Sequence, residues 1–119
     1  MSIVPVMVFY GMREPSFLIL TALADGRQHG YAVMKSVEDL SDGAVRLRPG
    51  SLYATLDRLA DAGLIRGAGE EVVDGRARQY YALTSLGVER LAAEVQRMRA
   101  NASRAEAGLR RFRANEASA

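Results

Sequence analysis

Arg48-Pro49-Gly50-Ser51-Leu52-Tyr53-Ala54-Thr55-Leu56-Asp57-Arg58-Leu59-Ala60-Asp61-Ala62-Gly63 is the stretch whose reading decides the fold. Leu52, Leu56, Leu59 and Gly63 recur at spacings of four, three and four, the stripe of one helix face. Pro49 suits the first turn, where a missing N–H costs nothing. Gly63 ends the helix, and Leu64-Ile65 begins a strand. Ser51, Thr55 and Arg58 fall on the opposite stripe, with Tyr53 and Ala54 at its flank. A thin polar face carrying a fixed cation suits a DNA major groove, where side chains meet base edges and phosphates. An ordinary amphipathic helix with a solvated outer face gives the same pattern. The flanking segments favour the first reading.

A chain of 119 residues, 49% hydrophobic and 25% charged, fits one soluble domain with a modest core. It has no cysteine, so disulfides, zinc–thiolate sites and thiol nucleophiles are excluded. His29 is the single histidine; alone it makes no metal site. With no nucleophile elbow beside it, an enzyme is the weakest option, and no cofactor is expected. The apolar run from Ile3 to Tyr10 is too short to span a membrane and lacks the basic start of a secretory signal. The expectation is a cytoplasmic protein without membrane contact.

A net charge of +2 says little; its distribution says more. Acidic residues outnumber basic ones up to Asp74, whereas beyond Gly75 arginine dominates. Lys35 is the only lysine. Arginine binds phosphate and guanine with a planar fork, although a codon bias towards arginine gives the same excess.

In chain order, residues 1–13 form an apolar extension. Val6, Val8 and Tyr10 alternate as in a strand, but a short extra helix fits as well. Glu14-Pro15-Ser16 opens a helix that is apolar nearly all round, broken by Asp25-Gly26-Arg27. His29-Gly30-Tyr31 leads into a second helix, striped by Tyr31, Val33, Met34, Val37 and Leu40 and ended by Ser41-Asp42-Gly43. Ala44 to Arg48 has the length of a first small strand. After the central helix, Leu64 to Val73 and Ala77 to Leu83 flank Asp74-Gly75, a strong hairpin dipeptide. Thr84 or Ser85 caps a last helix reading to about Asn115. The fold class is therefore mostly α (α+β): a winged helix-turn-helix with a two-stranded wing and a long C-terminal dimerisation helix. Residues 14–84 are the DNA-binding domain and 85–119 the dimerisation helix. Arg76 and Arg78 sit beside the wing tip, placed for a minor groove or the adjacent phosphates.

Val88, Leu91, Val95, Met98, Ala102, Ala105, Leu109 and Phe112 alternate spacings of three and four, which is a heptad seam. A small domain does not cover so long a stripe, so a two-fold homodimer is expected through this helix. Val88 and Leu91, nearest the domain, are expected to pack on it instead. Two reading helices would then meet a palindromic site about 34 Å apart. Met7, Phe17, Met98 and Phe112 are adaptable enough to line a cavity for an effector, though core or interface packing explains them equally.

The chain resembles the PadR family of bacterial transcriptional regulators. The resemblance rests on Leu18-Ile19-Leu20, His29-Gly30-Tyr31, Arg48-Pro49-Gly50-Ser51-Leu52-Tyr53, Leu56-Asp57-Arg58-Leu59, Gly63-Leu64-Ile65 and Arg78-Gln79-Tyr80-Tyr81-Ala82-Leu83-Thr84. Any one of these is weak; their order and spacing together are specific. The single long tail helix is similar to the smaller size class of the family. The resemblance implies a dimeric repressor, released in some members by phenolic, drug-like or other apolar compounds. It makes Ser51, Tyr53 and Arg58 DNA contacts, Tyr31 a phosphate contact, Gly50 a point of close backbone approach, and Arg76 and Arg78 the basic wing. It makes His29 part of a helix-start motif. The chain departs from the family in having no tryptophan, so the stacking pair of some small members is absent. The expected partners are double-stranded DNA, a second copy and a small apolar or aromatic effector. The rival readings are a winged-helix protein-interaction adaptor and a drug-binding protein with weak DNA affinity.

Overall fold

The computed structural model describes residues 12–118. The first helix, α1, spans Glu14–Leu23. Pro15 stands in its first turn, and Glu14 places a carboxylate at its positive end. Leu18, Ile19, Leu20, Ala22 and Leu23 are all buried, as an all-round apolar helix requires. Most of the expected extension, with the alternation at Val6, Val8 and Tyr10, lies outside the described residues.

A two-residue strand, β1 (Gln28–His29), precedes α2 (Gly30–Leu40). Gln28 ties the two helices together: Nε2 donates to the Ala22 carbonyl at 2.7 Å, and Oε1 accepts from Ser36 Oγ at 3.0 Å. His29 caps α2, its Nδ1 accepting from the Ala32 N–H at 3.3 Å. It is therefore structural, as the helix-start motif implied.

The third strand of the sheet is not where the sequence placed it. Ala44 to Arg48 forms no strand. Its backbone turns back on α2, the Val45 N–H donating to Ser41 Oγ at 2.9 Å. Val45 and Leu47 use their alternate positions to pack against the core rather than to pair with a neighbour. The partner is β1, which pairs antiparallel with β3.

The central helix, α3 (Pro49–Asp61), buries Leu52, Leu56 and Leu59. Beyond it the Leu64 N–H returns to the Leu59 carbonyl at 2.9 Å, and the chain enters β2 (Ile65–Val73) and β3 (Arg76–Leu83). Asp74 and Gly75 have φ of 53° and 75°, the left-handed pair that a two-residue hairpin matching strand twist demands. The sheet order is β1-β3-β2. Pairing of β2 with β3 shifts between Gly67 and Glu70, a bulge that leaves Ala68 and Gly69 out of register.

The last helix, α4, runs Ser85–Ser118, three residues further than the sequence suggested and about 51 Å long at 1.5 Å per residue. Thr84 opens it, its Oγ1 accepting from the Gly87 N–H at 3.0 Å and donating to the Gly63 carbonyl. Only Gly87 and Glu94 of α4 are buried. The core gathers Ile19, Leu20, Leu23, Val33, Val37, Leu52, Leu56, Leu59, Leu64, Ile65 and Tyr81, with Leu91 of α4 against it. These elements make a winged helix-turn-helix from which α4 projects.

Candidate nucleic-acid interface

The turn between α2 and α3 sets the candidate face. Tyr53 of α3 lies across the start of α2. A Cβ placed on Gly30 would fall 2.5 Å from the Tyr53 hydroxyl, so the glycine admits the ring. Tyr31 follows directly and is 67% exposed; neither it nor Leu40 joins the buried stripe of α2, which is confined to Val33 and Val37 with Met34 at its edge, and both tyrosines stand at one end of the helix.

Along α3, Ser51, Tyr53, Ala54, Asp57 and Arg58 are exposed. Gly50 has open space on its Cβ side, and Arg48 precedes the helix without making a side-chain cap. The first turn of α3 thus has no side-chain cap on its N–H groups.

Thr55 corrects the sequence reading. It is 6% exposed and does not belong to the outer stripe. Its hydroxyl donates to the Ser51 carbonyl at 2.9 Å and accepts from Arg58 Nη2 at 3.0 Å. Thr55 follows Leu52 by three residues and precedes Leu59 by four, so helical spacing itself sets it at the edge of the leucine stripe, where its hydroxyl must find partners. It aims Arg58 rather than offering itself to a base. The (i, i+3) spacing to Arg58 was the available signal.

On the wing, Arg76 and Arg78 are exposed and, being alternate residues, share one face of β3. Tyr80 continues that face. Its hydroxyl donates to Glu71 Oε2 at 2.7 Å, and that bond raises the tyrosine pKa above its ordinary value. Arg27 lies over the Tyr80 ring, 4.2 Å from the centroid. Sequence reading missed this Arg27–Tyr80–Glu71 group, since none of its members are neighbours in the chain. Tyr81, on the opposite face, is buried, and desolvation raises its pKa.

A second surface runs along α4. Leu91 packs on its own domain, as expected. Val88 does not: it is 55% exposed, because Gly87 rather than its neighbour turns inward. Met98, Leu109 and Phe112 are exposed large apolar residues, and Ala102 and Ala105 are exposed between them. Where α4 crosses α1, Glu94 is buried and takes two hydrogen bonds from Arg97, one from Nε at 2.8 Å, and one from the Met12 N–H at 3.2 Å. The Arg97 guanidinium holds this carboxyl below its usual range, against desolvation. Beside the pair is a cavity of about 380 Å³ whose lining includes Phe17, Leu18 and Met98. Of the four residues considered for an effector, Phe17 and Met98 meet there. Phe112, far along α4, is 62% exposed and does not join them. Met7 lies outside the described residues. Among the described residues no His, Asp and Glu cluster fits a metal ion, and no helix is long and apolar enough to cross a membrane.

The family model "Transcriptional regulator PadR-like family" matches residues 19–93. The transcriptional regulator YqjI of Escherichia coli is 35% identical over 81 residues, which cover 68% of this chain and 37% of that protein. Across its curated relatives the chain spans between 23% and 64% of their lengths. A PadR family transcription regulator from Clostridium difficile superposes with a TM-score of 0.68 at 24% identity, covering 82% of this chain and 99% of the other. Bacillus subtilis PadR, solved in complex with operator DNA, superposes with a TM-score of 0.61 at 22% identity, covering 68% of this chain and 46% of the other. At these identities the likeness to the solved structures is one of fold.

Proposed function

From the premise that this chain belongs to the PadR-like family of transcriptional regulators, we propose that it binds a palindromic promoter site as a homodimer and represses transcription there. The observation that carries this reading is the outward face of α3. Ser51, Tyr53, Ala54 and Arg58 are free of the core, and Arg58 is aimed by Thr55. Arg76 and Arg78 on the wing and Tyr31 on α2 add phosphate-binding capacity at its edges. The apolar stripe of α4, half-buried at Val95 and exposed at Met98, Ala102, Ala105, Leu109 and Phe112, supports self-association with a second copy. The protein then acts in the cytoplasm, where it meets the DNA.

The cavity beside Phe17 and Met98 supports a second layer of the reading. It lies between a helix of the DNA-binding domain and the helix assigned to dimerisation. A small apolar or aromatic effector bound there would favour one packing of α4 on α1 and change the separation of the two reading helices.

Genomic fragments retained by the purified protein and sequenced would reveal the operator and the target together. Arg58→Ala combined with Arg78→Ala is expected to abolish retention while leaving the sedimentation of the dimer unchanged. Unchanged DNA binding in that variant counts against this reading.

A further inference from the structure

Arg27 belongs neither to the core nor to the face of α3, yet its contacts converge on the wing. It lies in the turn between α1 and β1. Its Nη1 donates to the Ala68 carbonyl at 3.0 Å, and the guanidinium stacks on the Tyr80 ring. A Cβ on Gly69, whose φ is +105°, would lie 3.4 Å from the same Nη1. Ala68 and Gly69 are the residues skipped between the Gly67↔Tyr81 and Glu70↔Gln79 pairs. Arg27 therefore grips the bulge itself.

A bulge bends and twists the strand that carries it. The direction of everything beyond it depends on what holds it. Beyond this one lies the arm that bears Arg76 and Arg78. Tyr80, the ring under Arg27, is fixed on two other sides, by its hydrogen bond to Glu71 and by the His29 ring meeting it edge-on at 5.5 Å. A planar guanidinium stacks on an aromatic face and donates sideways at the same time; an ammonium does not.

We propose that Arg27 is a positioning residue for DNA binding: it locks the Ala68–Gly69 bulge to the Tyr80 ring and so sets the direction in which the wing presents Arg76 and Arg78. The proposal rests on the reading of the wing as a DNA contact. Arg27 acts through the wing and not on the duplex.

The test compares Arg27→Ala, Arg27→Lys, the pair Arg76→Ala with Arg78→Ala, and the triple variant, all on a fragment recovered by the wild-type protein. Hydrogen exchange is followed in the free proteins. Arg27→Ala is expected to weaken binding about tenfold, and to have almost no further effect once Arg76 and Arg78 are gone. Arg27→Lys is expected to behave like Arg27→Ala. Amides of residues 70–78 should exchange faster in both, with those of α1 to α3 unchanged. Effects that multiply in the triple variant, or restoration of affinity by lysine, overturn the proposal in favour of a direct phosphate contact. Unaltered affinity and exchange in Arg27→Ala overturn it in favour of a solvated side chain. If the wild-type protein itself retains no duplex, the functional reading fails and this proposal falls with it, an outcome distinct from both others.

Discussion

Gly87 meets the carbonyl oxygen of Leu64 so closely that a Cβ at position 87 would collide with it. This is the joint between the long helix and the rest of the winged helix-turn-helix. The Thr84 N–H donates to the same oxygen at 3.1 Å, so the strand exit, the hairpin return and the start of α4 are fixed at one point. The obstacle is backbone, which has no rotamer to yield.

Gly87→Ala should therefore cost stability out of proportion to one methyl group. Overpacking against a fixed neighbour costs about 3 kcal/mol at the upper end of the usual range, and the gain in helix propensity of about 1 kcal/mol does not offset it. Urea unfolding at a fixed protein concentration is the measurement. A variant as stable as the wild type would show that α4 shifts freely on Leu64.

Gly30→Ala should separate stability from binding. Here the obstacle is the Tyr53 hydroxyl, at the free end of a side chain, so the ring swings aside. Stability is expected to change by less than about 1 kcal/mol, because alanine is the better helix former. DNA affinity should fall several-fold as Tyr53 leaves its place. Thermal melts and binding isotherms on one preparation check both halves.

Glu94 gives the stability a pH dependence of known sign. Its carboxyl titrates below its ordinary value of 4.5 because Arg97 is hydrogen-bonded to it. A group whose pKa is lowered by folding contributes above the unfolded value and loses that contribution as pH falls through the folded one. The contribution should thus be complete at neutral pH and drain away below 4.5. Glu94→Gln should be less stable than the wild type at neutral pH, with the difference shrinking as the solution is acidified below that value. A constant difference across the range assigns the effect to packing alone.

Leu109→Glu with Phe112→Glu places two carboxylates on the exposed stripe of α4. Because both residues are far from the core cluster, the fold should survive with unchanged circular dichroism. Sedimentation should show monomers, and operator affinity should drop on the order of 100-fold as the two half-sites are read singly. Retention of the dimer would move the interface elsewhere on the chain.

The order of the helices and of the hairpin was legible because each of their boundaries carries local chemistry, whereas the first short strand carries none and was misplaced. Pro49 and Gly63 bracket α3, Asp74-Gly75 makes the hairpin, and Thr84 caps α4. The leucine stripe of α3 was legible for the same reason: a helix face depends on spacing alone. The exposure of the candidate site was legible where local pattern sets it, at Ser51, Tyr53 and Arg58 off the leucine stripe and at Arg76 and Arg78 beside the hairpin turn. Val88 and Leu91 share one heptad seam, yet only Leu91 meets the domain, since the seam does not record where the domain ends.

By itself the sequence determined which segments are helix and hairpin, and which faces of them are apolar. Those properties arise from neighbours three or four residues apart, or one turn apart, and need no distant partner. The tertiary structure alone decided that Gln28–His29, not Ala44 to Arg48, completes the sheet. It alone pressed Gly87 onto Leu64 and laid Arg27 across the bulge of β2. Each of these joins residues whose separation along the chain bears no relation to their distance in space. Spacing fixes a pattern on one element; only the packing of several elements fixes what that pattern meets.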